Sequence, residues 1–227
     1  MENAAALLAE LDALADERTA AVNAAHGDDH TVKLGDLRTI AKRVKVQPDL
    51  TRELWATGSS NARLLALLIC RPRLYTADEL DGMLREARTP KVQDWLVNYV
   101  VKKGPHAEQL RQRWFDDPDA AVASAGWALT SERIVRGSAG ADASREALDL
   151  VGLLDQIEAE MVAAPERLQW AMNQTLAEIG IHHPEHRERA LAIGTALGVL
   201  KDYPTPPNCT SPYAPIWITE MVRRREG

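Results

Sequence analysis

Lysine, tryptophan and asparagine side chains recur at helical spacing between residues 91 and 102. Lys91, Trp95, Asn98 and Lys102 are separated by four, three and four residues, which places them on one face of a helix. Ammonium groups beside an indole and an amide suit contacts with the phosphates and sugars of a nucleic acid. The alternative is a solvated helix face with one tryptophan at its margin.

A second basic stretch lies between residues 31 and 46. Against the single acidic Asp36 it carries five positive side chains, namely Lys33, Arg38, Lys42, Arg43 and Lys45. The first four are candidate phosphate contacts, because neutralising phosphates supplies most of the affinity for DNA. The alternative is the charged surface of an ordinary soluble helix.

Polar groups near the C-terminal end of the chain have two interpretations each. Trp170, Asn173 and Gln174 suit either a polar contact in a groove or a buried network with the C-terminal segment. The three histidines His182, His183 and His186 invite a metal site with Cys209, but their spacing matches no zinc pattern, and His183 can cap a helix. We therefore expect no metal and no cofactor.

Composition restricts the class of protein. The chain has 227 residues, 45% hydrophobic and 26% charged, with two cysteines and a formal net charge of 27 − 33 = −6. These values are typical of a globular protein with a core of its own and no disulfide framework. No apolar run is long enough for a membrane span, and no basic segment precedes an apolar one, so we expect no association with membranes. We also expect a cytoplasmic and monomeric protein. The acidic balance leaves room only for a local basic face.

Proline placement and apolar spacing predict helices throughout. Six prolines suit the first residue of a helix, and Thr76 with Glu79 fits a capping box. Apolar residues recur at three and four residues, and no run alternates long enough for a strand. The predicted helices cover 3–25, 33–44, 48–58, 60–71, 76–88, 90–103, 105–116, 118–135, 143–163, 165–181 and 184–200.

Short connections make successive helices antiparallel neighbours. Five tryptophans separated by 40, 32, 43 and 47 residues favour a HEAT-like repeat of helical pairs, although irregularly spaced core anchors would give the same pattern. The predicted fold is all-α: a curved right-handed solenoid of antiparallel HEAT-like pairs with a concave groove. The acidic stretch 149–166 is expected on its convex side.

The C-terminal segment differs from the rest. Five prolines between residues 204 and 215 exclude a helix there, while Tyr203, Tyr213 and Trp217 supply apolar anchors. We therefore expect a repeat domain over residues 1–200, with a Pro-rich extension over 201–227 packed back on the same domain.

Three sequence blocks, at 32–42, 53–58 and 61–66, resemble the bacterial DNA alkylation repair family of AlkD-like HEAT-repeat proteins, and 208–218 is similar to a less characterised branch of it. The resemblance implies a monofunctional glycosylase that excises N3- or N7-alkylated purines from double-stranded DNA. In that family an aspartate stabilises the positive charge that develops on the deoxyribose, and tryptophans contact the backbone and the cationic lesion.

The family motif places a tryptophan and the catalytic aspartate four residues apart on one helix. Aligned through Val97, the aspartate position holds Asn98 and the tryptophan position holds Asp94, so these two are the catalytic candidates. The family also has an arginine and a second tryptophan on later groove helices; the corresponding regions here read Ala125–Trp127 and Asn173–Thr175, and neither residue is preserved. The polar and aromatic residues found there still lie on groove helices. Trp127, Asn173 and Gln174 are therefore taken as candidate DNA contacts.

Two functions follow from these residues. The first is a DNA-binding HEAT-repeat protein of the alkylation repair family, with weak or altered glycosylase activity. The second is a non-catalytic scaffold for DNA or protein whose groove is occluded by its own C-terminal segment. The state of the groove, open and basic or plugged, distinguishes them.

Overall fold

The computed structural model describes residues 2–138 and 147–226, and no residue in these ranges belongs to a β-strand. The predicted all-helical class is therefore confirmed. None of the described helices is long and apolar enough to span a membrane. By its internal contacts the chain divides into two compact units, residues 1–110 and 111–227.

The first unit contains seven α-helices and ends within an eighth. They are α1 (Ala4–Ala13), α2 (Glu17–Ala24), α3 (Leu34–Val44), α4 (Pro48–Ala56), α5 (Ser60–Ile69), α6 (Ala77–Glu86), α7 (Pro90–Trp95) and α8 (Ala107–Trp114). Helix α5 is apolar nearly all round and lies centrally, because α3, α4 and α7 all pack against it. Its residues Leu64, Leu65 and Ile69 are fully buried.

The second unit contains α9 (Ala120–Ser138), α10 (Leu150–Glu160), α11 (Glu166–His182), α12 (Pro184–Leu197) and α13 (Ala214–Glu226). Helix α11 is its centre, packed against α9, α12 and α13. The first residues of the predicted helix 143–163 lie outside the described part of the chain. Phe115 stacks on Trp127 in this unit with ring centroids 4.6 Å apart.

Local sequence signals placed many of the helix ends. Pro48, Pro90 and Pro184 each begin a helix as predicted, and the capping box of Thr76 and Glu79 is present. The single helix predicted over 3–25 was wrong. It breaks at residues 14–16, because the Asp16 carboxylate accepts from the Thr19 N–H at 2.7 Å and caps a new helix, while the Asp16 N–H bonds to the Thr31 carbonyl.

The C-terminal segment packs back on its unit as predicted, but it ends in a helix that was not predicted. Pro215 lies in the first turn of α13, where a missing N–H costs no hydrogen bond. Two glycines let α13 approach closely: a Cβ on Gly180 would lie 2.6 Å from Ile218 Cδ1, and one on Gly194 would lie 2.8 Å from Pro215 Cδ. Ile218 is fully buried in this contact.

A buried histidine in the first unit makes the stability pH-dependent. His30 is 2% exposed, and its Nδ1 has no hydrogen-bond partner among the described residues. Burial lowers the pKa of His30 below its usual 6.5, and the nearby charge of Lys91 lowers that pKa further, whereas Asp28 and Asp29 oppose the shift. The imidazole is therefore kept neutral in the folded state.

We predict that the free energy of unfolding falls as the pH drops below about 6.5, because His30 binds a proton in the unfolded chain but not in the folded chain. In urea unfolding between pH 7 and 5, His30→Gln should flatten the decline in the free energy of unfolding. The exposed His26 supplies the control, since His26→Gln should leave the slope unchanged. Parallel pH profiles for wild type and His30→Gln would contradict this account.

Candidate nucleic-acid interface

The start of α7 is held by a carboxylate from a distant loop. Asp28, which is 6% exposed, accepts from the Lys91 backbone N–H at 2.7 Å across 63 residues of sequence. The first N–H groups of a helix have no partner within the helix, so this bond satisfies one of them and places an anion at the positive end of the helix dipole. The loop before α3 and the first turn of α7 are thereby fixed to each other.

A second clamp fixes the entry into α3. The Asn61 side-chain oxygen accepts from the N–H groups of Thr31 and Val32 at 2.9 and 3.1 Å, and its amide donates to Thr31 Oγ1 at 2.9 Å. Asn61 belongs to α5, the central helix of this unit. Helices α3 and α7 are therefore both positioned by polar contacts made through the loop 25–33.

These contacts bring four side chains together in a series that we call the cation–aromatic ladder: Arg38, Trp95, Tyr99 and Lys103. The Arg38 guanidinium lies over the Trp95 ring, 5.3 Å from its centroid. Trp95 and Tyr99 meet edge to face with centroids 5.1 Å apart. The Lys103 ammonium lies 5.2 Å from the Tyr99 centroid. Cations at such distances are attracted by the ring quadrupole.

The ladder shares only Trp95 with the helix face predicted from Lys91, Trp95, Asn98 and Lys102. After Trp95 the chain makes a π turn over Leu96–Val100 and a short 3₁₀ turn over Val101–Lys103. The Val101 N–H bonds to the carbonyl of Leu96, five residues earlier, which is the signature of a π turn. Tyr99 and Lys103 continue the series from Trp95, whereas Asn98 is exposed and Lys102 is half-buried.

Sequence reasoning missed Tyr99 and Lys103, although a signal was present. Lys91, Trp95, Tyr99 and Lys103 are spaced by four residues throughout, and an i, i+4 pair of aromatic residues is a recognised helical contact. The predicted face of Lys91, Trp95, Asn98 and Lys102 uses spacings of three and four residues, which assume a regular α-helix up to residue 102.

Both catalytic candidates are exposed. Asp94 and Asn98 lie four residues apart, on either side of the buried Trp95 in sequence, and both side chains face solvent. A carboxylate and an amide are thus presented beside the aromatic part of the ladder. The carboxylate can stabilise a developing positive charge, whereas the amide offers only a dipole.

Further basic residues lie next to the ladder. Arg71 and Arg73 are exposed on the short 3₁₀ turn Pro72–Leu74, which packs against the turn containing Lys103. Close backbone packing holds these turns together, since a Cβ on Gly104 would lie 3.6 Å from the Pro72 carbonyl oxygen. Neither arginine was among the predicted contacts.

The predicted phosphate contacts on α3 and at its start differ in the ion pairs that they already make. Arg38 and Lys42 are exposed. Arg43, in contrast, donates from Nε to Glu2 at 2.7 Å and from its terminal nitrogens to both carboxylate oxygens of Glu10, and these acids raise the pKa of the Arg43 guanidinium. The Lys33 Nζ lies 3.5 Å from Asp16 Oδ2, and the Lys33 side chain is 62% exposed. Arg43 must break existing ion pairs before it can bind a phosphate.

Three candidate contacts lie in the second unit, and two of them are buried. Trp127 is 2% exposed and belongs to the core. Asn173 is 1% exposed, and its side-chain amide donates to the Pro212 carbonyl at 2.8 Å. Asn173 thus forms the buried network with the C-terminal segment, and the expectation of a DNA contact for these two residues is corrected. Gln174 is half-buried.

No cluster of three or more metal-ligating side chains occurs in residues 2–138 and 147–226. Two of the three histidines, His182 and His183 at the end of α11, have polar partners of their own. His183 Nδ1 lies 3.1 Å from Glu185, and His182 Nε2 lies 3.0 Å from the Arg225 guanidinium. Burial and the charge of Arg225 lower the pKa of His182.

Comparison with known proteins places this geometry in context. The sequence profile of the DNA alkylation repair enzyme family matches residues 7–218. A solved structure, described as a new family of proteins related to the HEAT-like repeat DNA glycosylases with affinity for branched DNA structures, covers 99% of this chain and 95% of its own, with a TM-score of 0.76 and 23% sequence identity. At this identity the match shows the fold, so the predicted HEAT-like fold is confirmed. No curated protein matches the chain in sequence.

We predict that Asp28→Ala loosens the interface by removing the cap of α7. Loss of a capping carboxylate typically costs about 1–2 kcal/mol, so the free energy of unfolding in urea should fall by that amount. Asp29→Ala is the matched control, because Asp29 is exposed in the same loop and should cost little. Equal losses for the two variants would show that the Asp28–Lys91 bond does not position the helix.

Proposed function

The chain belongs to the DNA alkylation repair enzyme family, and we propose that it binds DNA by holding the sugar–phosphate backbone on the cation–aromatic ladder. The observation that carries this proposal is the stacking of exposed Arg38 and Lys103 against Trp95 and Tyr99. Rings beneath a guanidinium and an ammonium restrict their motion, so less side-chain entropy is lost when they meet phosphates.

The acidic overall charge does not exclude this function, because several basic side chains on and next to the ladder are exposed. The chain carries 33 acidic and 27 basic residues, yet Arg38, Lys42, Arg71, Arg73 and Lys103 are all exposed in the first unit. Local positive charge supplies the sequence-independent part of DNA affinity. Such binding is moderate and strongly salt-dependent.

We further propose that this protein prefers branched or distorted DNA over a straight duplex. The similar structure described above supports this by its stated affinity for branched DNA. Trp95 bears on how the DNA would be held rather than on which DNA is preferred. The ring is 7% exposed and already has Arg38 over it, so it cannot stack on an extruded base, and the contacts it supports are with the backbone.

Excision of alkylated purines is the finer part of the proposal, and we propose that it is weak. The family aspartate is replaced by Asn98, which carries no charge, and Asp94 lies one helical turn earlier. The Arg38 guanidinium lies over the Trp95 ring, where a cationic purine would otherwise pack. Repulsion between the two cations disfavours capture of the lesion.

A specific observation also favours the scaffold alternative. The C-terminal segment covers Asn173 through the Pro212 carbonyl, which removes one predicted contact of α11 from DNA. Under this alternative the ladder has no DNA to hold, and ladder variants would bind DNA no differently from wild type.

We predict that Arg38→Gln weakens DNA binding, whereas Arg43→Gln has little effect. The two variants lose the same charge from the same helix, but only Arg38 belongs to the ladder, while Arg43 is engaged by Glu2 and Glu10. Fluorescence anisotropy with a labelled four-way junction should show a loss of about 5- to 30-fold for Arg38→Gln. Its slope of log K against log salt should shrink by about one.

The same titration with a duplex of equal length tests the preference for branched DNA. Binding that Arg43→Gln weakens as much as Arg38→Gln would refute the assignment to the ladder. Undetectable binding of both DNAs at low salt would refute the function itself.

We predict little or no excision of 7-methylguanine by wild type, and faint excision of the more labile 3-methyladenine. Losing a preorganised electrostatic contact costs about 3–4 kcal/mol, a factor of about 100–1000 in rate. Asn98→Asp should therefore raise the release of both bases from methylated duplex DNA, measured by chromatography. Asp94→Ala should abolish any residual activity.

A known glycosylase assayed in parallel verifies the substrate. Robust release of 7-methylguanine that survives Asp94→Ala would show that the active site lies elsewhere. No release by wild type or by Asn98→Asp would leave DNA binding as the whole function.

A further inference from the structure

A polar cleft of about 610 Å³ lies within the second unit, between the loop 205–211 and α13. Its lining includes Asn208, Thr210, Ser211, Glu220 and Arg224. The volume is in the range of clefts that hold small ligands, and it exceeds that of a single phosphate group. None of these residues belongs to the ladder or to the catalytic candidates, although Asn208, Thr210 and Ser211 lie in the segment 208–218 that resembles a branch of the family.

The wall formed by the loop is rigid. Prolines at 206, 207 and 212 fix the backbone, and the Cys209 N–H closes a turn onto the Pro206 carbonyl at 3.1 Å. The loop is fastened to the unit at both ends, by the edge-to-face contact of Tyr203 with Trp170 at 4.9 Å and by the bond from Asn173 to Pro212. A rigid wall means that little ordering is needed on binding.

The lining combines one guanidinium with hydroxyl and amide groups that can donate or accept hydrogen bonds. The Arg224 guanidinium reaches from α13 to the Thr210 hydroxyl at 3.2 Å, and the Asn208 amide and Ser211 hydroxyl line the same space. The one carboxylate of the lining, Glu220, is paired with Arg223 at 2.9 Å. The lining thus holds one cation, Arg224, and one anion, Glu220, and the positive charge of the paired Arg223 lies outside the lining.

We propose that this cleft binds a phosphate group, with Arg224 as its principal ligand and the neighbouring hydroxyl and amide groups completing the contacts. A guanidinium flanked by hydroxyls matches the geometry and charge of phosphate oxygens. The phosphate belongs either to the DNA backbone, in which case this inference rests on the proposed function, or to a small phosphorylated molecule.

Cys209 provides a reporter within the cleft. Cys209 is exposed and contributes to the lining, whereas Cys70 is buried, and burial raises the pKa of its thiol to about 11. A neutral alkylating reagent such as iodoacetamide should therefore react with Cys209 selectively. The rate of alkylation, followed by mass spectrometry, measures how far the cleft is occupied.

The experiment titrates the full-length protein with inorganic phosphate, deoxyadenosine monophosphate or the four-way junction, with sodium chloride holding ionic strength constant. Alkylation of Cys209 should slow as phosphate or the mononucleotide saturates the cleft. Arg224→Gln should raise the half-protecting concentration about 10- to 100-fold, and Arg224→Lys should raise it less. Arg136→Gln removes the same charge from the surface of α9 and should leave protection unchanged.

Each outcome decides a separate point. Protection by the DNA as well as by phosphate supports the backbone as the source, and protection by phosphate and mononucleotide alone supports a small molecule. Protection that persists in Arg224→Gln, or none by any ligand at saturation, overturns the proposal. If anisotropy shows no DNA binding, the proposed function fails, while the phosphate titrations still decide the cleft.

Discussion

The interface in the first unit depends on one hydrogen bond between the Asp28 carboxylate and the Lys91 backbone N–H. Helix α7 begins at Pro90, which has no N–H of its own, so the next N–H needs a partner from outside the helix. Asp28 supplies it from a loop that Asn61 of α5 also fastens at Thr31 and Val32. This arrangement fixes the relative position of α3 and α7, and with it the contact of Arg38 with Trp95.

The cation–aromatic ladder reconciles an acidic protein with the proposed DNA-binding function. In the sequence alone the basic residues look equivalent. In the structure acidic residues neutralise some of them, as Glu2 and Glu10 do for Arg43. Arg38 and Lys103 instead lie over aromatic rings, which hold them without cancelling their charge. What separates the candidate DNA contacts from the other basic residues is therefore the group that each one contacts, and not how many basic residues there are.

The helices were largely predictable because their signals are local. Prolines at first-turn positions and the box of Thr76 and Glu79 act within a few residues of the helix end they define. The π turn over Leu96–Val100 was not predictable, because a shift of one hydrogen bond depends on how the helix packs. Tyr99, by contrast, lies four residues after Trp95, so its contact with Trp95 could have been predicted from the sequence.

Contacts in the structure likewise separated candidates that looked alike in sequence. Trp95 and Trp127 are both buried, and they differ in their neighbours: Trp95 lies under the Arg38 guanidinium, whereas Trp127 stacks on Phe115 in the core of the second unit. Asn173 could bond to DNA or to the C-terminal segment, and the partner it has is Pro212, 39 residues later in the chain. Helix α13 was not predicted because the prolines before it indicated a non-helical segment. Pro215 nevertheless lies in the first turn of this helix, where proline is tolerated.

The most direct test of the ladder as a DNA-binding surface is lysine footprinting of Lys103. The protein is acetylated with and without a saturating four-way junction at equal ionic strength, and the rate at each lysine is read by mass spectrometry. The account predicts that DNA slows acetylation of Lys103 several-fold, and that Arg38→Gln reduces this protection at the same DNA concentration. An unchanged rate at Lys103 while anisotropy shows the DNA to be bound would place the DNA elsewhere and contradict the account.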